Sequence, residues 1–381
     1  MPVTELGLFG ILTGPGNLES PVAEPAFCEA LLRAAPSYGL RAVVFTPDGV
    51  SPDGGSVAGF RRAASNWVPA KERTPDIVYN RMFASSPEEK REAARALRAL
   101  GRSSDWSRGL PDKWNVYRKL RLHPEAARLL PETRRYTGRR GLSLMLARYK
   151  DGVFLKPRAG MQGRFTLHAA PSGSQPGSLI IRARDGANRP LLLRFPDEYS
   201  GLAWAERFIG SKRFIMQPYL RLTTCRGEPF DIRVLVQKNG RGRWELTGMA
   251  ARLGPGGSLT SNLHGGGTAE EAAAVLREQF GAMAEEILQK LERTAALLPP
   301  LLEASCGRLG ELGLDFGIDP DGRIWLLEAN SKPGRSVFKL TGDREAARRS
   351  AENPLAYARY LLLTRSSSPR LLRSGALQSE D

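Results

Sequence analysis

Cysteine is scarce in this chain. Its 381 residues include three, Cys28, Cys225 and Cys306. They are scattered and odd in number, which argues against a disulfide framework or a zinc knuckle and fits a reducing, cytoplasmic setting. Histidine is as scarce: His123, His168 and His264 are the full complement. No G-x-S-x-G occurs, so no Ser/His or Cys/His nucleophile system is expected, and each cysteine reads as a small hydrophobe. No apolar run approaches 18 residues, which excludes a membrane-spanning helix. Met1 to Gly16 lacks a basic start and a small-residue cleavage site, so it reads as a buried first strand rather than a signal peptide. Acidic residues are in deficit, 40 against 56 basic ones, for a net charge of +16. That balance favours anionic partners such as nucleotides or acidic substrates. The basic residues are dispersed, without the aromatic interleaving of single-strand binders, so nucleic acid is not an expected partner. There is no internal repeat and no G-x-x-x-x-G-K-S/T phosphate loop.

What is present is an ordinary globular composition, 41% hydrophobic and 25% charged, on a chain long enough for two or three domains. Apolar runs at Leu6 to Leu12, Arg41 to Phe45 and Pro75 to Asn80 read as strands, with a helix from Ala26 to Ala35 between the first two. That spacing predicts a small parallel α/β domain. Pro87 to Leu100 reads as a helix opened by proline. From Pro111 the character changes to helices at Lys113 to Leu122 and Leu142 to Arg148. Strands are expected near Leu130 to Thr133 and at Gly152 to Pro157, Leu179 to Arg184, Leu191 to Phe195 and Arg213 to Leu220. Gln217-Pro218 within the last predicts an edge or a bend. Phe230 to Gln237 and Trp244 to Arg252 flank Asn239-Gly240, a hairpin signal. Thr268 to Glu271 resembles an N-cap opening a long helix to about Leu298. Arg365 to Asp381 has little periodicity and is expected to be disordered.

The strongest chemical signal lies between Leu314 and Asn330. Two apolar runs flank Pro320-Asp321-Gly322, with Asp315 on the first and Glu328 and Asn330 on the second. Residues two apart on a strand share a face, and a two-stranded ribbon of this length can bring Asp315 to the other two. Three oxygen-bearing side chains at one spot suit Mg²⁺ held beside phosphates. An ATP-using enzyme is the first functional expectation. Asp315-Phe316-Gly317 matches the kinase D-F-G letters, but no H-R-D-x-x-x-x-N precedes it and no A-P-E follows. Lys156 ends a strand before Gly160-Met161-Gln162-Gly163. Glycine-loop amides can approach phosphate, and a lysine adds charge, though a structural turn reads equally from these letters. Asp231 and Arg233 face away from the layer of Ile232, Val234 and Val236. Asn262 and His264 sit in a glycine-rich loop.

Taken in order, Asp112-Lys113, Leu130-Pro131-Glu132-Thr133, Phe154-Leu155-Lys156-Pro157 with Gly160-x-x-Gly163, Gln217-Pro218-Tyr219-Leu220, Asp231-Ile232-Arg233-Val234, Ser261-Asn262-Leu263-His264-Gly265-Gly266, Asp315 and Leu327-Glu328-Ala329-Asn330 resemble the ATP-grasp ligases. The match runs from about residue 110 to 345. Val78-Tyr79-Asn80-Arg81, with Trp67 and Pro75-Asp76 before it, is similar to the spore-coat-associated YheC/YheD group. The resemblance implies an α/β, α+β grasp fold: an N-terminal α/β pre-grasp domain over 1–110, grasp subdomains over 111–212 and 213–364, and a disordered tail over 365–381. It implies Lys113 and Lys156 on the α- and β-phosphates, Gly160 and Gly163 in the phosphate loop, and Asp231 among the nucleotide-binding residues. Gln217, Tyr219 and Leu220 would receive adenine. Asp315, Glu328 and Asn330 would carry one or two Mg²⁺. Arg233 and Arg252 would neutralise charge on the transferred phosphoryl group, and Asn262 would position it. Some ligases carry an arginine two residues before the first metal-binding aspartate. Here that position is Gly313, so Arg252 or Arg308 must substitute. The implied activity is carboxylate–amine ligation through an acyl phosphate, with small-molecule or peptide substrates of acidic character, in a cytoplasmic, spore-associated setting. A nucleotide-binding coat protein without turnover, and a charge-driven binder of anionic polymers, are the competing readings.

Overall fold

Gly7–Leu12 is buried along its whole length, as a strand covered on both faces must be. In the computed structural model, which describes residues 5–366 apart from 18, 65, 85, 102–104 and 174, it lies within a five-stranded sheet. The order is Asn66–Arg73, Ser56–Ala63, Leu40–Phe45, Gly7–Leu12, Ile77–Asn80. Gly7–Leu12 runs parallel to both its neighbours, as the strand–helix–strand spacing predicts. The first two strands form an antiparallel ribbon that periodicity did not reveal. Pro69 and half-exposed polar positions blur its alternation, which an edge ribbon tolerates. Pro87–Leu100 is helical, with a capping box between Ser86 and Glu89.

The described chain divides into two units. One comprises Met1–Trp106, Lys238–Arg243 and Ala351–Asp381, the other Ser107–Gln237 and Trp244–Ser350. The first unit is completed from the far end of the sequence. Leu355, Tyr357, Ala358 and Leu361 share a core with Phe9, Ile11, Tyr79 and Trp106. The Trp106 indole donates to the Pro354 carbonyl at 3.0 Å, and its ring meets Tyr357 edge-on at 5.5 Å. These residues lie in the helix Arg344–Ser366. Of the expected disordered tail, 367–381 lies outside the described residues.

The second unit holds two antiparallel sheets. The smaller, six-stranded but built of shorter strands, runs Pro190–Phe195, Leu179–Arg184, Leu167–Pro171, Val153–Pro157, Phe214–Pro218, Arg134–Arg135. One of its faces packs on the helices Arg139–Arg148 and Glu198–Ile209. Phe214–Pro218, expected at an edge or a bend, is an interior strand that is open on one side at its proline. It is paired on both sides, but Arg134–Arg135 reaches only Ile215 and Met216, so Pro218 falls where one side needs no N–H donor. The larger sheet runs Thr268–Glu271, Trp244–Leu253, Phe230–Lys238, Glu311–Ile318, Ile324–Asn330. The helices Ala272–Phe280 and Ala284–Cys306 cover its core face. Two expectations fail here. Thr268–Glu271 is a strand paired with Ala250–Leu253, because strand pairing recruits polar residues that look like a cap. The long helix is interrupted at Gly281, which takes a left-handed φ of 52° and ends the first segment.

Candidate nucleotide and metal site

The hairpin read from the sequence forms as expected. Gly322 adopts φ 76° in the turn, and the Asp319 carboxylate accepts from the backbone of Asp321 and Arg323. What the letters do not reveal is a bulge. Asp315 stands opposite Glu328, but Phe316 stands opposite Leu326, leaving Leu327 as the extra residue. Ile324 and Leu326 belong to the core, and Ala329 packs against it. Unbroken alternation from Ile324 would have sent Glu328 and Asn330 into that core as well. The bulge shifts the phase by one residue and turns them to the other face. It also leaves the Leu327 carbonyl free to accept from Lys156 Nζ at 3.0 Å.

Asp231 and Arg233 lie on the same side, opposite Ile232 and Val234 in the core. They are buried, not exposed. Arg233 stands opposite Asp315 in register, so Arg233, Asp315 and Glu328 form a row across three strands. Arg233 Nε and Nη2 donate to the Asp315 carboxylate at 2.5 and 3.0 Å. Arg252 donates to both Asp231 oxygens at 2.7 Å and lies 3.0 Å from Asp315 Oδ2. Ser261 adds a third donor to Asp231 at 2.5 Å. Burial alone would raise the pKa of Asp315, but the two guanidinium groups outweigh it and hold the carboxyl at about 2. Of the two arginines expected to compensate for Gly313, Arg252 is the one that contacts Asp315, while Arg233 Nη1 lies closest to Gly313 itself, 3.6 Å from where a Cβ would stand. A Cβ at Gly313 would meet Pro333 Cβ at 2.7 Å, so no side chain fits there.

The smaller sheet supplies the other wall. Val153 and Leu155 point into its core, which sends Phe154 and Lys156 to the opposite face. Burial pulls the Lys156 ammonium down to about 8, against the opposing pull of Glu328. Lys113 opens a helix capped by Asp112, whose side chain accepts from Asn115 N at 3.0 Å. Its Nζ donates to the Gly160 carbonyl at 2.8 Å and lies 3.2 Å from Glu328 Oε1. Both lysines line one cleft, with a cavity volume of about 150 Å³, together with Gly160, Gly163, Gln217, Tyr219, Leu220, Asp231, Asn262, Asp315 and Glu328. Asn330 follows Glu328 on the strand, opposite Gly313, and stands outside the cleft lining. Arg233 and Arg252 reach the site through the carboxylates they hold. Among the described residues no cluster of three or more carboxylate, histidine or cysteine ligands occurs.

Within Gln217-Pro218-Tyr219-Leu220 the Gln217 amide donates to Thr133 Oγ1 at 2.8 Å. The Tyr219 ring stacks on His168 at 3.8 Å. Burial lowers the His168 pKa to about 4, so the ring is neutral at pH 7. Gly163 sits at φ 71°, and a Cβ there would meet Asn262 Nδ2 at 2.6 Å, so the 160–163 loop and the 254–267 loop interlock. The side chain of His264 lies outside the described residues. Sequence reasoning missed Ser261 as a partner of Asp231, the Leu327 carbonyl, and the lining residues Phe154, Arg164 and Thr166. Alternation in Phe154-Leu155-Lys156 could have found the first of those three. No signal in the letters marks the bulge.

A family model described as YheC/D-like ATP-grasp matches residues 106–361. The chain is 28% identical over 328 residues to the endospore coat-associated protein YheC of Bacillus subtilis (strain 168), covering 84% of this chain and 89% of that protein. It is 27% identical over 376 residues to the endospore coat-associated protein YheD of the same strain, covering 96% and 81%. Among solved structures, the D-cycloserine synthetase DcsG superposes with a TM-score of 0.55 at 15% identity, covering 94% of this chain and 99% of that one. That likeness is one of fold.

Proposed function

This chain belongs to the YheC/D-like ATP-grasp family, and from that premise we propose that it is an ATP- and magnesium-dependent carboxylate–amine ligase working through an acyl phosphate. The carrying observation is the meeting of two walls. Asp315 and Glu328 stand opposite each other on the larger sheet, and Lys113 and Lys156 approach the same strand at 3.2 and 3.0 Å.

The donor set fits magnesium. That ion takes hard oxygen ligands, commonly one or two carboxylates, and shares its remaining positions with water and phosphates. The carboxylates of Asp315 and Glu328, both in the cleft lining, meet this need, with Asn330 two residues further along the strand as a third oxygen at its margin, and Asp315 stays ionised at any physiological pH. Bound there, magnesium would neutralise the triphosphate and polarise its terminal phosphoryl group. Lys113 and Lys156 hold phosphate oxygens, exchanging their present contacts with Glu328 and two carbonyls for ligand contacts. Gln217, Tyr219 and Leu220 would receive the adenine, with Phe154 lining the same cleft and neutral His168 keeping the Tyr219 ring in place. Asp231 fixes Arg252, and Arg252 with Arg233 fixes Asp315. The paired arginines also offset charge that builds on the transferred group, and Asn262 orients that group from its loop.

In the reaction a substrate carboxylate oxygen attacks the γ-phosphorus of ATP, and the bond to the β-phosphate oxygen breaks to release ADP. The amine nitrogen then attacks the acyl carbon, phosphate leaves, and the nitrogen loses a proton. Positioning and charge neutralisation supply the acceleration, so no protein nucleophile is required. The scarcity of cysteine and histidine agrees with this. The names of the two relatives support a spore-coat setting and a second reading, nucleotide binding without turnover. ADP release with pairs of candidate acids and amines separates the two. Release that needs both an acid and an amine, and vanishes in Asp315→Asn, supports the ligase. Tight ATP binding with no release for any pair supports the coat component.

A further inference from the structure

Four arginines are buried among the described residues: Arg81, Arg184, Arg233 and Arg252. Three are matched by carboxylates. Glu24 pairs with Arg81 at 2.8 Å, Asp315 with Arg233 at 2.5 Å and Asp231 with Arg252 at 2.7 Å. Arg184, only 4% exposed, has no such match among the described residues. Its Nη1 reaches two neutral oxygens, the backbone and side-chain oxygens of Asn188, each at 3.3 Å. Its Nε has no partner. Burial without a compensating charge draws its pKa below the usual arginine value. A buried cation left in this state is costly unless a ligand supplies the missing charge.

Its position says which ligand. Arg184 ends the strand Leu179–Arg184, and its neighbour Ala183 points into the core opposite Leu167. Alternation turns Arg184 to the cleft side. There its backbone N–H donates to the carbonyl of Thr166 at 2.8 Å, and Thr166 lines the cleft. Over the guanidinium lies Gly265, where a Cβ would come within 2.5 Å of Nη1. The same loop carries Asn262 against Gly163. The unmatched charge therefore sits beside the phosphate loop, under the glycine-rich loop that borders the site.

We infer that Arg184 is an anion-binding, specificity-determining residue that holds a carboxylate of an acidic substrate beneath the Gly265 loop. A guanidinium whose Nε has no partner among the described residues, and whose Nη1 reaches only neutral oxygens, suits a carboxylate oxygen. The net charge of +16 favours approach of an acidic molecule. The inference rests on the ligase reading above and adds the class of acid. The terminal phosphoryl group of ATP offers similar oxygens, so the test has an arm for each source.

The full chain is titrated calorimetrically with Mg·ADP, then with glutarate in one arm and orthophosphate in the other. The wild-type ADP complex is expected to bind glutarate. Arg184→Gln should weaken that binding by about tenfold or more with ADP affinity unchanged, and Arg184→Lys should recover part of it. Gly265→Ala keeps the charge but crowds Nη1, and should weaken glutarate as well. It serves as the second variant if Arg184→Gln does not fold. Glutarate affinity equal in wild type and both variants overturns the inference, as does a wild-type complex that takes no glutarate. A loss confined to orthophosphate overturns the substrate assignment and gives Arg184 to the phosphoryl group. Failure of ADP itself to bind is read first, and sinks the nucleotide reading separately.

Discussion

Replacing Asp315 by asparagine keeps the shape of the side chain and removes its charge, which two arginines depend on. Arg252 retains Asp231, but Arg233 loses the carboxylate that accepts from both its Nε and Nη2. Arg233 and Asp315 are each less than a tenth exposed. Breaking a buried pair from one side costs about 3–5 kcal/mol, since the surviving charge is left unmatched. The displaced pKa gives an independent figure. A carboxyl moved from 3.8 to about 2 is worth on the order of 2–3 kcal/mol at neutral pH, at 1.36 kcal/mol per pH unit. Because the folded-state pKa is depressed, this stabilisation is present above the unfolded value and fades as pH falls from 3.8 toward 2. Urea unfolding of the metal-free protein, followed by tryptophan fluorescence, should show a lower midpoint for Asp315→Asn at pH 7. The gap should narrow below about pH 4. ADP release by the folded variant should fall about 100-fold or more, since even residues that only orient metal ligands cost 10–100-fold. An unchanged midpoint at pH 7, or ADP release at the wild-type rate, would refute the ion-pair and metal assignments respectively.

Lys156→Ala should weaken ATP binding. With the wild-type ammonium drawn to about 8, ATP affinity should decline as pH rises through that value, and Lys156→Arg should flatten the profile. Calorimetry across pH 6.5 to 9.5, a range bracketing that value, checks both, and an affinity unmoved by Lys156→Ala removes the residue from the phosphate site. Gly163→Ala puts a Cβ at φ 71°, 2.6 Å from Asn262 Nδ2. It should cost about 1–2 kcal/mol and loosen nucleotide binding, read by melting with and without Mg·ADP, and an unchanged melt would mean the two loops do not interlock. Tyr357→Ala opens the core shared by Phe9, Tyr79 and Trp106 and should cost about 3–5 kcal/mol. Protease sensitivity at sites within the first hundred residues reports it, and resistance equal to wild type would detach the C-terminal helix from that core.

Local physics made much of this protein legible in its letters. Alternation in Phe230 to Gln237 sent Asp231 and Arg233 to one face, and the Pro-Asp-Gly turn announced the hairpin that carries Asp315, Glu328 and Asn330. Proline at its first turn marked the helix from Pro87 to Leu100, and the charge excess pointed to anionic ligands. In each case the governing interaction spans a few residues, so its pattern is written contiguously. Other features depend on partners that are distant in the chain. The bulge at Leu327 is a matter of register with Glu311–Ile318, invisible in either strand alone. The strand character of Thr268–Glu271 comes from pairing, which overrides a capping pattern. That Arg252 rather than Arg308 stands at Asp315, and that Leu355, Tyr357 and Leu361 finish a core begun by Phe9, are consequences of packing. Arg184 reads as one more arginine in a basic chain. Only the folded structure decides that it is buried and lacks a counter-charge among the described residues, because a charge's cost depends on the water and partners that tertiary contacts leave around it.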